Sequence, residues 1–238
     1  MRQPVKIKLC GLTRPLDFEA ANELMPEYIG FVFAPSSKRY VAPREAGKLR
    51  SLLHPAIAPV GVFVNTPPGQ VAKLLNCGII DIAQLHGAED EDYISYLRTL
   101  TAKPLIKAFR ITTEQDLRSA RTSSADYVLL DSGPGGTGTP FNWTLLDASG
   151  AKRPDAPDTS ATAFKPPQAA PFPRPYFLAG GLSCTNIAEA MRTLTPYAVD
   201  VSSGIETNGC KDPEKMRAFV HTIRNTPRPH SGVPRANI

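Results

Sequence analysis

Hydrophobic positions along the chain fall into short β-rich runs separated by stretches of helical period. The runs are Val5 to Cys10, Tyr28 to Phe33, Ala58 to Val64, Ile80 to Leu85, Pro104 to Phe109, Asp126 to Leu130, Pro175 to Ala179 and Tyr197 to Val201. Each has the length of a strand and is bounded by polar residues, Gly or Pro. Their starts lie 22 to 30 residues apart, the length of a βα unit, except for one interval of 49. That interval contains residues 149–173, rich in Ala, Pro, Thr and Asp and without apolar period. Subtracting this stretch, about 25 residues, restores the common spacing, so it reads as an insertion between strands six and seven.

The intervening segments carry helical stripes. Ile187, Ala190, Met191 and Leu194 recur at i, i+3, i+4 and i+7, as do Met216, Phe219, Val220 and Ile223. Asp212-Pro213 starts the last helix with an N-cap and a proline at the first helical position, where its missing N–H costs nothing. Eight strands alternating with eight helices through short connections predict a single-domain (β/α)8 TIM barrel. The barrel covers 1–225, with 149–173 as a flexible insertion and 226–238 as a C-terminal tail. An open doubly wound sheet would carry a G-x-G-x-x-G turn after the first strand, and Cys10-Gly-Leu-Thr-Arg-Pro15 is not that turn.

Composition narrows the class without changing the fold. Hydrophobic residues make up 42% and charged residues 21% of 238, the balance of a globular chain, while 24 prolines are about twice the usual share. The net charge of +5 is scattered, with no long basic run, which speaks against nucleic acid and suits small anionic ligands. No run of about 18 apolar residues and no apolar leader appear, so no membrane partner is expected and the cytoplasm is the expected location. Cys10, Cys77, Cys184 and Cys210 lie far apart, with no C-x-x-C pair and no metal-ligand spacing, and read as free thiols.

Barrels keep their chemistry at the carboxyl ends of the strands, so each end can be read for what it delivers. The first brings Cys10-Gly11, a reactive thiol or a small buried hydrophobe. Arg39, after strand two, is a bidentate carboxylate clamp or a surface arginine. Gln84 and His86 alternate to one side at the end of strand four, touching substrate or orienting something that does. Asp131 follows a run of leucines, where a carboxylate is costly unless paired, capping or working. The glycine-rich stretch 133–138 comes next. Gly180-Gly181 after strand seven, and Ser202, Ser203 and Gly204 after strand eight, can aim backbone N–H groups at a phosphate from the two loops barrels commonly use for it. Asp200 is a contact to a substrate hydroxyl or a structural group.

In order along the chain, Lys8-Leu-Cys-Gly-Leu-Thr13, Gly30-Phe-Val-Phe-Ala-Pro35, Ser37-Lys-Arg-Tyr40, Val60-Gly-Val-Phe-Val64 and Gln84-Leu-His-Gly87 are followed by Leu129-Leu-Asp131, Gly135-Gly-Thr-Gly138, Leu178-Ala-Gly-Gly-Leu182 and Asp200-Val-Ser-Ser-Gly-Ile-Glu206. Over almost its whole length the chain resembles the phosphoribosylanthranilate isomerase family of tryptophan biosynthesis. The resemblance implies a cofactor-free Amadori rearrangement of an anionic phosphosugar, N-(5-phosphoribosyl)anthranilate, to 1-(2-carboxyphenylamino)-1-deoxyribulose 5-phosphate. It implies Cys10 as general base, Asp131 as general acid, Arg39 on the anthranilate carboxylate, and the Gly180-Gly181 and Ser202 to Gly204 loops on the phosphate. Two departures, Asn142 in place of the family's usual aspartate and the 149–173 insertion, bear on the shape of the sixth unit rather than on the two catalytic groups.

Such chemistry needs each group in its less usual protonation state. At pH 7 an ordinary cysteine is only about 3% thiolate, and about one aspartate in a thousand is protonated. The expectation is that N–H groups and nearby cations favour the Cys10 thiolate, while apolar walls and the ligand's anionic groups favour protonated Asp131. Two other readings compete. The related sugar isomerase of histidine biosynthesis, alone or in addition, uses an aspartate at the end of strand one, against Cys10. A silent phosphosugar-binding barrel would not need Cys10 or Asp131. A monomer and a homodimer are both compatible with the sequence.

Overall fold

Eight parallel strands close on themselves in the computed structural model, which describes residues 4–131 and 172–227. The order around the barrel is β1 (Lys6–Cys10), β2 (Tyr28–Val32), β3 (Ala58–Phe63), β4 (Ile82–Leu85), β5 (Leu105–Arg110), β6 (Tyr127–Asp131), β7 (Tyr176–Leu178) and β8 (Ala198–Val201), with β8 returning to pair with β1. Every strand that the apolar runs predict is present, its ends moved by at most two residues. Seven helices lie among the described residues: α1 (Pro15–Leu24), α2 (Pro43–Arg50), α3 (Pro68–Asn76), α4 (Glu91–Leu100), α5 (Glu114–Thr122), α6 (Ile187–Thr193) and α7 (Pro213–Asn225). None of the described helices is long and apolar enough to cross a membrane. The predicted helix between β6 and β7, stretch 133–138, Asn142, nearly all of 149–173 and the tail from 228 fall outside the described residues.

The period of two along each strand divides the apolar residues between two cores. Ile7, Leu9, Ile29, Phe31, Leu130 and Val199 face outward and pack with helix residues such as Phe18, Leu75 and Phe219. Inside the barrel, Tyr28, Val60, Ile82, Ile106, Leu129 and Phe177 form a second cluster. A small third cluster of Cys10, Val32, Ala34 and Val62 lies at the carboxyl ends of β1 to β3. The opposite end is sealed by polar rings: Lys6 Nζ donates to Tyr197 Oη at 2.7 Å, Tyr28 and Tyr197 hydroxyls lie 3.0 Å apart, and the Tyr127 and Tyr197 rings stack.

Capping fixes the helices nearest the mouth. The carboxylate of buried Asp17 in α1 accepts from the Thr13 and Arg14 backbone N–H groups at 2.9 and 3.0 Å, and Pro15 opens the helix. In α7, Asp212 accepts from Glu214 N and Lys215 N, with Pro213 at the first position as the sequence predicts. Met216, Phe219, Val220 and Ile223 form its buried stripe, and Ile187, Ala190 and Met191 that of α6. Between β8 and α7 the chain also makes a short antiparallel hairpin of β9 (Glu206–Thr207) and β10 (Cys210–Lys211), which apolar patterning does not foresee.

Candidate active site

Cys10 ends β1 on the inner face, 7% exposed at the mouth of the barrel. The turn after it is pinned by Gly11 N and Leu12 N, which both donate to Gly30 O at 2.8 and 3.2 Å. Two residues deeper on the same face lies Lys8, fully buried, its ammonium donating to Asp200 Oδ1 at 2.9 Å. From the other side Ser202 Oγ donates to the Cys10 carbonyl at 3.1 Å, and Lys211 Nζ donates to Ser202 O at 2.9 Å. Burial pushes the Cys10 thiol up, Lys8 and Lys211 pull it down, and Asp200 adds to the rise; the net direction is upward. This corrects the expectation that the surroundings alone favour thiolate: the cations are present, and desolvation in the barrel outweighs them. Burial likewise opposes the Lys8 charge, yet Asp200 and Cys10 hold that ammonium above its ordinary range.

Asp131 is the last residue of β6, two positions beyond inward-facing Leu129 and therefore on the inner side of the mouth. His86 Nε2 lies 3.6 Å from Asp131 Oδ2, and His86 Nδ1 lies 2.8 Å from Gln84 Nε2. The Gln84 amide meets Nδ1, and the tautomer set by that contact decides whether Nε2 donates to Asp131 or accepts from it. Buried Gln84 Oε1 has no partner among the described residues. The loop that carries His86 is braced by Glu89, whose carboxylate accepts from Asn65 N at 2.6 Å, Gly87 N at 2.8 Å and the buried Lys107 ammonium at 3.0 Å.

Arg39 does form a bidentate fork, and its partner is within the chain. Nε donates to Glu206 Oε1 at 2.6 Å and Nη2 to Oε2 at 2.9 Å. Lys211 donates to the same carboxylate at 2.6 Å, and Lys38 stands 3.6 Å from it. Burial would raise the Glu206 carboxyl, but the hydrogen bonds from Arg39 and Lys211 hold it at about 2. Burial lowers the Lys211 ammonium in turn, against the pull of Glu206. A guanidinium has five donors, so two engaged with Glu206 leave the Nη1 edge for another acceptor.

The loops after β7 and β8 meet. Gly180 and Gly181 hold φ of 87° and 62°, a conformation that side chains resist, and Asn186 Nδ2 donates to Gly181 O at 2.8 Å. Ser183 and Gly204 form a bridge between the loops, and a Cβ at Gly204 would stand 1.9 Å from Leu182 O. The Ser202 hydroxyl donates to Cys10 O and accepts from Lys211, tying β8 to β1. Ser203, Gly204 and the two glycines remain together on one rim.

A family model described as N-(5'-phosphoribosyl)anthranilate (PRA) isomerase matches residues 7–222. The chain belongs to that family. It is 40% identical over 224 residues to the N-(5'-phosphoribosyl)anthranilate isomerase of Thermoanaerobacter sp. (strain X514), covering 92% of this chain and 98% of that one. The enzyme of that name from Endomicrobium trichonymphae is 41% identical over the same shares. The crystal structure of phosphoribosyl anthranilate isomerase from Thermotoga maritima superposes with a TM-score of 0.76 at 30% identity, over 92% of this chain and 98% of that one. A further PRA isomerase structure, in complex with reduced 1-(o-carboxyphenylamino)-1-deoxyribulose 5-phosphate, gives 0.73 at 29% identity over the same shares.

Relative to the sequence-based expectations, Cys10, Asp131, His86, Gln84 and Asp200 line the inner side of the mouth, Arg39 lies beside Gly11 with its fork on Glu206, and the loops expected to bind phosphate form one rim. Sequence reasoning passed over Lys8, Glu206 and Lys211. Lys8 shares an inner-face alternation with Cys10, which is the signal that would have found it.

Proposed function

We infer that this chain performs the reaction of its family, the Amadori rearrangement of N-(5-phosphoribosyl)anthranilate to 1-(2-carboxyphenylamino)-1-deoxyribulose 5-phosphate in tryptophan biosynthesis. The observation that carries this reading is the match over residues 7–222 together with a thiol and a carboxyl at two strand ends of one mouth. A family member that binds the reduced product, 29% identical, supports a phosphosugar ligand.

Asp131 protonates the ribose ring oxygen, the C1–O bond breaks, and the anilino nitrogen's lone pair forms an iminium. Cys10 removes the proton from C2, giving an enolamine that tautomerises to the ketone. The thiol must give up its proton before this step, although burial opposes the thiolate. His86, held by Gln84, aims at Asp131 and steadies its carboxyl. The Nη1 edge of Arg39 takes the anthranilate carboxylate while Glu206 holds Nε and Nη2. Gly180, Gly181, Ser203 and Gly204 hold the phosphate, Ser202 acts from beneath them, and Asp200 faces the sugar hydroxyls with its other oxygen engaged by Lys8.

Supplying phosphoribosylanthranilate and following its consumption tests the reading. Cys10→Ala and Asp131→Asn are expected to lower kcat by about 10² or more. Near-normal turnover in either variant would remove that residue from the mechanism.

A further inference from the structure

Lys8 is among the largest fully buried side chains in the described structure, and it lies inside the barrel rather than at its surface. Bringing an ammonium into such a place is costly, and a buried ion pair stabilises a fold no better than apolar side chains of the same size. The pair it makes with Asp200 therefore has no clear use as an anchor. Its location suggests another use. Lys8 and Cys10 are i and i+2 on one inner face, Asp200 is paired with Lys8 across the β1–β8 seam, and the Lys8 charge acts on the thiol directly.

We propose that Lys8 is a positioning residue of the reaction, an internal counter-charge that Asp200 fixes beneath Cys10 so that the thiol can release its proton inside a dry barrel. The proposal rests on Cys10 being the base, as argued above. The charged groups that act on Cys10 are Lys8 on its own strand, Asp200 on β8 and Lys211 on β10. Arg39 and Glu206 stand behind Lys211, and His86 and Asp131 lie at the ends of β4 and β6. β2 contributes only Gly30 and Val32 beside the sulfur. Lys211 already has Glu206 and Ser202 as acceptors, whereas among the described residues Lys8 meets only Asp200 and the thiol. Proton removal from Cys10 leaves the cluster Lys8⁺, Asp200⁻, Cys10⁻, so the ammonium sits between two anions, as a counter-ion should.

Two substitutions with opposite signs separate this from a merely structural role. In a chain whose other cysteines are replaced (Cys77→Ser, Cys184→Ser, Cys210→Ser), the ultraviolet absorbance of the thiolate titrates Cys10 directly. Lys8→Met is expected to move the Cys10 midpoint up by about one pH unit or more, a tenfold loss of thiolate at a given pH, and to move the alkaline rise of kcat with it. Lys8→Arg is expected to restore most of the shift. Asp200→Asn keeps the shape, releases Lys8 and is expected to move the midpoint down. General loosening of the barrel would carry both variants toward an ordinary exposed thiol, so shifts of the same sign, or none, overturn the proposal. If Lys8→Met fails to fold, Lys8→Gln takes its place, and a Cys10 midpoint that does not rise in it refutes the proposal. An active Cys10→Ala enzyme overturns the base assignment and this proposal together. An inactive Cys10→Ala with an unshifted Lys8→Met overturns only the role of Lys8.

Discussion

Glu206 shows how much a single carboxylate can be asked to hold. It receives Arg39, Lys211 and, at longer range, Lys38, and those cations hold it at about 2 although burial opposes its charge. A folded value below the unfolded one means that the ionised form stabilises the fold. That contribution is complete above the ordinary carboxylate range and is lost as pH falls toward about 2. Urea unfolding between about pH 5 and pH 2 is therefore expected to show a fall in stability that Glu206→Gln flattens. Equal acid slopes in the two proteins would contradict this. Glu206 was hard to pick out from the sequence because its importance lies in contacts to Arg39, 167 positions away, and to Lys211 on a hairpin too short to leave a pattern. Lys8 was hidden for a different reason. In an alternating strand a lysine usually marks the solvent face, but in β1 the apolar residues Ile7 and Leu9 face the helices, which leaves the lysines inside. Cys10 and Asp131 were legible because a polar group ending an apolar run is conspicuous in either case.

At the scale of elements, β1 and β2 must approach closely for the thiol to sit where it does. Gly30 makes that possible: a Cβ there would stand 2.6 Å from the Cys10 sulfur and 3.1 Å from its Cα. The backbone contact cannot swing aside, so Gly30→Ala is expected to lower kcat at least tenfold while leaving the rim of Gly180, Gly181, Ser203 and Gly204 intact. Steady-state kinetics with inorganic phosphate as a competitive inhibitor would check it, and an unchanged kcat would show that the sulfur has room to spare. Gly204→Ala should do the reverse. Its Cβ would meet the Leu182 carbonyl at 1.9 Å and part the two loops, so a rise in KM and in the phosphate inhibition constant of about tenfold is expected, with a smaller effect on kcat. Strand positions were readable from the chain because each apolar run is bounded by turn residues and repeats at a βα spacing. The β9–β10 hairpin was not, since two-residue strands have no period to detect.

Over the whole molecule the two ends of the barrel have divided their duties. The mouth gathers the thiol, the carboxyls and the cations, and the far end is a plug of Lys6, Tyr28, Tyr127 and Tyr197. Tyr197→Phe is expected to lower stability by about 1–2 kcal/mol, through the lost hydrogen bond from the Lys6 ammonium, without changing kcat/KM. Chemical denaturation beside kinetics would check both halves; a change in turnover would mean that the plug reaches the mouth. The barrel's seam has one further effect. The groups around the thiol come from the first strand and the last unit, joined where Lys8 is in register with Asp200. A chain still growing on the ribosome holds Cys10 and Lys8 early and must wait for nearly 190 more residues before Asp200 arrives. Were β8 to dock two residues out of step, Lys8 would lie beside Ala198 or Ser202, an ammonium shut in hydrocarbon or facing a hydroxyl, and closure would be penalised by the full cost of an unpaired charge. The same pair that flanks the sulfur thus favours one register for the strand that closes the barrel.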